Sequence, residues 1–383
     1  MDFTFSEEQV MLRDAVLKLM EGISPPEVVR QLDRDQEYPY ALYDEWVKHG
    51  LIQLPFPPEY GGLDGSVFDM AIVAEALART SFDLFTAFSC SIFCGLTVLR
   101  HGTPAQREEW LPPLLEGRIR MSVAMSEPDA GSDLSAIRTV AVRDGDEWIL
   151  NGRKIWATGA GARDNFLNVY ARTGAEEDYR KGLSLFIVPN DAPGVELRKL
   201  DMLGRRSVGT YEILFDNVRV PHAHLVGGEN HGWECLKSGL QFERVTSAAG
   251  YCGAARSVVD MAVQYARERR QFGAALIDHQ AIGHMLADMK TEMEAASLMM
   301  WHAAWQLAQS GDALGAVSMA KLFGSETYVK LANMGMQVMG AFGYSMEYDM
   351  QRHYRDARSV TIGAGTSQMQ RNLIAHLLKT DRM

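Results

Sequence analysis

A chain of 383 residues is too long for one small core and is expected to divide into two or three packed layers or domains. With 47% hydrophobic and 23% charged residues its balance is that of a globular protein, which excludes a disordered chain. A formal net charge of −11 and a pI of about 5.4 exclude a general attraction to phosphate backbones, so nucleic acid is not expected as the main partner, although Arg267, Arg269 and Arg270 form a local basic cluster.

The first 118 residues read as helical. The opening MDFTFSEEQ has neither a basic n-region nor an apolar core, so it is not expected to be a signal peptide. Ser6 and Gln9 have capping-box spacing, and Val10, Leu12, Val16, Leu17 and Met20 then recur at helical spacing until Pro25 and Pro26 stop the run. A helix over 44–51 ends at Gly50, before the Pro/Gly-rich loop PFPPEYGGLDG at 55–65. Further helices are predicted over 66–79, over 82–102, and from Pro104 to a stop at Gly117. The uncharged stretch 84–99 is interrupted by Thr86, Ser89, Ser91 and Thr97. It is shorter than the roughly 20 residues a membrane span needs and reads as a buried core helix. Cys90, Cys94, Cys235 and Cys252 form no CxxC pair, and no His or Cys cluster accompanies them. They read as small buried residues in a reducing compartment, and no metal is expected.

From 119 to 229 the texture changes to short β-branched runs, EWILNG, FLNVYART, LSLFIVPN and YEILFDNVRVP, separated by turn pairs such as Asp144-Gly145 and Asn151-Gly152. This segment is predicted to be a small antiparallel β domain. From 230 to 383 long helices return over 247–270, 280–310 and 313–339, rich in Ala and Met. With one more near the C-terminus they would form a four-helix bundle. The fold class is therefore α+β, organised as helical, β and helical domains over 1–118, 119–229 and 230–383.

Three segments suggest a ligand. SVAMSEPDAGSD, 122–133, enters the β domain as a strand and turns, presenting backbone N–H groups with the hydroxyls of Ser126 and Ser132. In NGRKIWATGAG, 151–161, Trp156 and Thr158 have the period-two spacing of one strand face, where a flat indole and a hydroxyl suit a planar cofactor. ARERRQFG, 266–273, ends a long helix with Arg269 three residues before Phe272, a placement that suits a pyrophosphate. Singly, each has a plainer reading: a turn after a strand, a core tryptophan, cations at a helix C-terminus.

Together, in this order, the three resemble the acyl-CoA dehydrogenase family, as do PPEYGG (57–62), LGRRSVGTYEILFDNVRVP (203–221), QVMGAFGY (337–344) and RDARSVTIGAGTSQMQRN (355–372). The resemblance covers essentially the whole chain and implies that family's fold and bound FAD. It places Trp156 and Thr158 beside the flavin ring, and Met125, Ser126 and Ser132 where the loop meets flavin and the CoA thioester tail. Arg269, Phe272, Gln337 and Gly340 fall where a neighbouring subunit grips FAD, and Thr366 and Gln368 where a C-terminal turn contacts it. A shared FAD implies an oligomer, a homotetramer by family likeness, and electrons passed to an electron-transfer flavoprotein.

The implied chemistry needs a carboxylate to remove the α proton of an acyl-CoA while the β hydride leaves, and a dry site that raises that carboxyl's pKa. Most of the family places this Glu directly before Gly-Thr near the C-terminus, where this chain has Ala364. A minority places it on the helix after the β domain, where this chain reads QFERV, so the resemblance assigns the base to Glu243. Taken alone, Glu243 beside Arg244 is an ordinary carboxylate in a helix's first turn. Phe242 and Arg244 are expected to hold substrate contacts. Acyl specificity is expected to follow the packing of Phe88, Phe93 and Phe242, and the small Ala364 leaves room for a branched or β-substituted group.

The expected protein is thus a cytoplasmic FAD-dependent acyl-CoA dehydrogenase with no membrane span. MDF at the start and LDRDQEYP at 32–39 also resemble crotonobetainyl-CoA reductase-like proteins, so the reverse, enoyl-CoA-reducing direction is an alternative. A non-catalytic flavin-binding subunit of a hetero-oligomer is a second. An oxygen-using oxidase is disfavoured by the short chain, and sulfinate elimination by the presence of Glu243.

Overall fold

Hydroxyl side chains start the N-terminal helices. In the computed structural model, which describes residues 5–175 and 180–381, Ser6, Ser66 and Thr103 each close a capping box with the residue three positions on. The MDF start lies outside the described residues. Helices α1 (Glu7–Ile23), α2 (Pro26–Asp35), α3 (Tyr40–Lys48), α4 (Val67–Thr80), α5 (Phe82–His101) and α6 (Pro104–Leu115) form the first unit. Pro26 not only follows the end of α1 but opens α2, because proline at the first helical position has no N–H to lose. The helix expected over 44–51 starts four residues earlier, at Tyr40.

Helix α5 is long and apolar enough to cross a membrane by length and composition, yet 83% of its most apolar window is buried inside the protein. It is the central post of the first unit, as its uncharged sequence requires.

Strands β1 (Arg120–Ala124), β2 (Val140–Asp144), β3 (Glu147–Thr158), β4 (Asn165–Arg172), β5 (Leu183–Pro189), β6 (Val195–Leu200), β7 (Thr210–Pro221) and β8 (Leu225–Val226) form one sheet, in the order β6-β7-β3-β2-β4-β5-β8. Its pairings are antiparallel except that β1 runs parallel to β4 along Arg120–Ala124, and β2 touches β4 in parallel at Val140 and Arg172. The expected antiparallel domain is present, with these two parallel contacts of β4 added to it. β1 arrives from α6 and joins the sheet beside β4, not beside its sequence neighbour β2, and the turn-bearing segment 125–139 fills the interval. A separate apolar cluster around Trp148, Phe186 and Phe215 holds the sheet together.

The C-terminal unit consists of α7 (Gly232–Glu268), α8 (Gln280–Ser310), α9 (Leu314–Met339), the short α10 (Ala341–Tyr344), α11 (Met350–Val360) and α12 (Ser367–Lys379). Helix α9 packs on α7, α8, α11 and α12, which makes it the centre of the bundle. One apolar core runs from α1 through α5 into α7, α8 and α9, so the two helical units share an interior. Where α4 crosses α7, a Cβ on Gly253 would lie 2.1 Å from the Glu75 carbonyl oxygen, so only glycine permits the approach.

Helix α7 begins 15 residues earlier than the apolar periodicity indicated, at Gly232 instead of 247. Its first turns contain Gly232, Gly239 and polar residues that weaken the helical pattern. Glu243 consequently lies three turns inside the helix. The reading of Glu243 as a first-turn carboxylate is corrected, and the helix N-terminus gives it no stabilisation.

Candidate active site

Around Trp156 the strand leaves its regular register. β3 pairs with β7 through Lys154 opposite Ile213 and resumes at Ala157 opposite Tyr211, with a bulge between. Trp156 takes φ +65° and is 56% exposed, while Ala157 beside it is buried. A bulky side chain in the left-handed region is strained, and this one is held there with its indole outward. The period-two spacing of Trp156 and Thr158 survives, but it does not extend back to Lys154, which is wholly buried.

The segment after β1 is fastened to this strand. The Ile155 N–H donates to the Ser126 carbonyl at 2.9 Å, and Lys154 Nζ donates to the Met125 carbonyl at 3.0 Å. Lys154 also pairs with Glu127 at 2.8 Å, and Glu127 accepts from the N–H groups of Arg138 and Thr139. Burial would raise the Glu127 carboxyl, but Lys154 and these hydrogen bonds outweigh it and hold it low. Burial pushes Lys154 down to about 8. Met125 and Ser126 are thus presented beside Trp156 by a buried ion pair, and Ser132 lies exposed further along the turn.

The Thr158 hydroxyl accepts a hydrogen bond from the Arg205 guanidinium at 3.3 Å. The Arg205 loop is held by two buried carboxylates. Asp356 accepts from the Arg205 N–H at 2.7 Å, and Asp83 accepts from the N–H groups of Ser207 and Val208. Gly204 is obligatory there, since its Cβ would meet the Arg355 backbone at 2.6 Å. Burial, with the charge of Asp83 adding, raises Asp356 to about 7. Arg205 was not singled out from the sequence, although it lies in the quoted stretch 203–221.

Glu243 sits half-buried on α7, where its charge is felt by Cys90 and Cys94 of α5, Tyr170 of β4, Tyr251 of α7 and Lys321 of α9. Burial pushes its carboxyl above the ordinary range, and Arg244 and Lys321 pull it partway back. Phe242 packs edge-to-face on Phe93, ring centres 6.2 Å apart, and the Arg100 guanidinium lies over its ring. Phe88 is fully buried and packs on Trp46, away from this pair. All four cysteines are free thiols, Cys94, Cys235 and Cys252 buried and Cys90 partly so, and burial raises each of them.

Ala364 occupies the turn between α11 and α12 with φ +54°. Thr366 uses its hydroxyl to cap α12, accepting from the Met369 N–H at 3.2 Å, while Gln368 is exposed on the first turn. Arg244 is buried, its Nε without a partner, and its guanidinium approaches Gly365.

Arg269, Phe272, Gln337 and Gly340 lie elsewhere. Arg269 stands over the ring of Phe342, two residues past Gly340, so the end of α7 and the end of α9 share one corner. Phe272 is 98% exposed at φ +51°. Twenty-six residues separate Glu243 from Arg269, which along α7 is about 39 Å. One chain therefore does not bring both groups to one small molecule.

The residues near Trp156 fit a flavin on three observations: the outward, strained indole, the hydroxyl of Thr158, and the unpartnered buried Nε of Arg205 beside it. Among the described residues no group of three or more His, Cys, Asp or Glu side chains is placed to hold a metal ion.

Comparison with known proteins agrees along the whole chain. Residues 6–118, 122–218 and 230–379 match the acyl-CoA dehydrogenase N-terminal, middle and C-terminal domain families in turn. A probable acyl-CoA dehydrogenase of Bacillus subtilis is 34% identical over 380 residues, covering 99% of this chain and 100% of that one. A subunit of the caffeyl-CoA reductase-Etf complex of Acetobacterium woodii is also 34% identical, over 98% of this chain and 99% of its own. The solved butyryl-CoA dehydrogenase from Megasphaera elsdenii superposes with a TM-score of 0.94 at 30% identity, covering 99% of this chain and 100% of that chain.

Proposed function

The chain belongs to the acyl-CoA dehydrogenase family, and from that premise we propose that it acts on the α and β carbons of an acyl-CoA thioester with Glu243 as the base. The observation that carries this reading is the position of Glu243. It is a carboxylate three turns inside α7, where α5, β4 and α9 converge, raised by burial and facing no direct ion-pair partner among the described residues. Burial raises the basicity of a carboxylate so placed, which suits removal of a weakly acidic α proton. Ala364 leaves no second carboxylate at the C-terminal turn.

Met125, Ser126, Trp156, Thr158, Thr366 and Gln368 would hold the isoalloxazine end of FAD, and Ser132, Phe242 and Arg244 would line the thioester and its tail. FAD, when bound, supplies the acceptor for the β hydride. Arg269, Phe272, Gln337 and Gly340 would serve the FAD of a second copy, because the length of α7 keeps them from their own chain's base. This favours an oligomer, with the homotetramer as its form. The buried α5 suits a soluble protein, read as cytoplasmic.

The acyl group has limited room. Two turns beyond Glu243, about 10 Å along α7, Phe85 packs so closely on Gly250 that a Cβ there would meet its ring at 2.8 Å, and Phe82 packs on Tyr251. On the other side stands the Phe93–Phe242 pair. These walls favour a short or branched acyl group. An electron-transfer flavoprotein is the proposed redox partner, supported by the relative in the Acetobacterium woodii complex. That relative also keeps the enoyl-CoA reductase direction as a second reading.

Anaerobic titration of the FAD-loaded protein with acyl-CoAs of increasing length tests the proposal. Bleaching of the visible flavin band by short and branched acyl-CoAs is expected. A flavin that no acyl-CoA bleaches would overturn the reading.

A further inference from the structure

Arg205 stands on the loop between β6 and β7 at φ +57°, in the left-handed region where a long side chain is strained. Such a backbone persists only where its surroundings over-determine it. Here the Asp356 carboxylate of α11 accepts the Arg205 N–H at 2.7 Å, and a Cβ on Gly204 would lie 2.7 Å from the same carboxylate. Asp83 of α5 fixes the next residues, accepting from the Ser207 and Val208 N–H groups and from the Ser207 hydroxyl. The chain then enters β7 at Thr210, directly opposite Thr158. Two carboxylates from different helices thus hold one strained residue against the end of β3.

Among the described residues the Arg205 side chain makes one hydrogen bond, from Nη2 to the Thr158 hydroxyl at 3.3 Å, and no direct ion pair. Its Nε is buried without a partner. Asp83 feels the charge of Arg205, yet the Asp83 Oδ1 is also buried without a partner, so the two do not close a direct pair. A guanidinium carries five N–H donors and no acceptor, so it can bond a hydroxyl only by donating. The Thr158 oxygen therefore accepts, and among the described residues no group takes that hydroxyl's own hydrogen.

We propose that Arg205 is a positioning residue for Thr158: its guanidinium occupies the hydroxyl oxygen, turns the hydroxyl hydrogen towards the flavin ring, and sets a cation one hydrogen bond behind that ring. This rests on the placement of Trp156 and Thr158 beside the flavin. A hydroxyl that accepts from a cation is the stronger donor, because hydrogen bonds in a chain polarise one another. The ring edge that receives a hydride gains negative charge, which the hydroxyl and the cation behind it both favour. The arrangement favours hydride uptake from a saturated acyl group.

The two-electron reduction potential of bound FAD reads this role, with FAD affinity and the visible flavin band measured beside it. The proteins are wild type, Arg205→Met, Arg205→Gln, Thr158→Val, and Thr158→Val combined with Arg205→Met. Arg205→Met should shift the reduction equilibrium roughly tenfold towards oxidised flavin, about 30 mV lower in potential. Arg205→Gln, which keeps a neutral donor for the hydroxyl, should shift it in the same direction by less. In the Thr158→Val background Arg205→Met should shift it by about threefold or less, because the hydroxyl that carries its effect is gone. An unchanged potential in both arginine variants, or an equal shift with and without the Thr158 hydroxyl, would overturn the proposal and leave Arg205 as a counter-charge for Asp83. A Thr158→Val protein with the FAD affinity, visible band and potential of wild type would instead remove Thr158 from the flavin's side.

Discussion

The Lys154 ammonium lies 2.8 Å from the Glu127 carboxylate, with the lysine wholly buried and the glutamate nearly so. The pair spans 27 positions of sequence and joins the turn after β1 to the strand that carries Trp156. Removing one partner strands the other as a buried charge, which typically costs about 3–5 kcal/mol, whereas replacing both with apolar groups costs far less. Lys154→Met and Glu127→Leu are each expected to lower the urea midpoint of the apoprotein markedly. The double variant is expected to recover only the ion-pair part of the loss, because the Arg138 and Thr139 N–H groups and the Met125 carbonyl lose their partners in it, and a double variant as unstable as the sum of the singles would contradict the pairing.

Trp156 invites the opposite expectation. Its indole is 56% exposed and its backbone is at φ +65°, so it adds little to the core and carries strain of about 1–2 kcal/mol. Trp156→Gly relieves that strain while adding flexibility to the unfolded chain, and the two effects nearly cancel. The apoprotein should stay within about 1 kcal/mol of wild type in urea unfolding, while FAD affinity, read by flavin fluorescence, should fall at least about tenfold. A large loss of apoprotein stability would make the tryptophan structural.

The sequence made the helical and β regions legible where composition and periodicity agree. The helix over 280–310 has the predicted ends, and the Ser6–Gln9 capping box is present. The first turns of α7 were hidden by glycines and polar residues, which moved Glu243 from a helix end to a helix interior and reversed the electrostatic argument about it. Lys154 and Lys321 were invisible because lysine is normally a surface residue, and nothing local announces a buried one. Arg205 was likewise out of reach: its contact with Thr158 spans 47 positions, and the two carboxylates that hold its loop come from α5 and α11. The parallel placement of β1 beside β4 is a long-range pairing that no hairpin signal encodes.

His353 lies buried in α11, its Nδ1 3.0 Å from the Tyr328 hydroxyl. Burial, with Arg352 adding, lowers it from its ordinary value of 6.5 to about 3. A histidine held neutral in the fold contributes stability that is present above pH 6.5 and is lost as pH falls towards 3, because the unfolded chain takes up a proton that the folded chain refuses. Asp356 works against this trend, since its carboxyl is raised to about 7, so the histidine is isolated by comparing variants. His353→Gln should be less stable than wild type at neutral pH. The gap should narrow by about 1.4 kcal/mol per pH unit on acidification, as wild type alone loses the histidine contribution. A gap independent of pH would mean that His353 is not held neutral.

The base assignment makes the sharpest kinetic demand. Glu243→Gln keeps the volume and the neighbours Arg244 and Lys321 but removes the proton acceptor. FAD and acyl-CoA binding should persist, while the rate of flavin bleaching falls about a thousandfold or more. In wild type that rate should rise with pH through a value above the ordinary carboxylate range, because burial raises Glu243. Ala364 stands at φ +54° on the turn whose Gly365 carbonyl accepts from Lys321, and already carries a Cβ there, so Ala364→Glu adds no new class of backbone strain. Placed in the Glu243→Gln background, that substitution should restore part of the bleaching rate, with a pH limb of its own. Stopped-flow absorbance on the single and double variants decides the matter, and wild-type rates in Glu243→Gln alone would end the assignment.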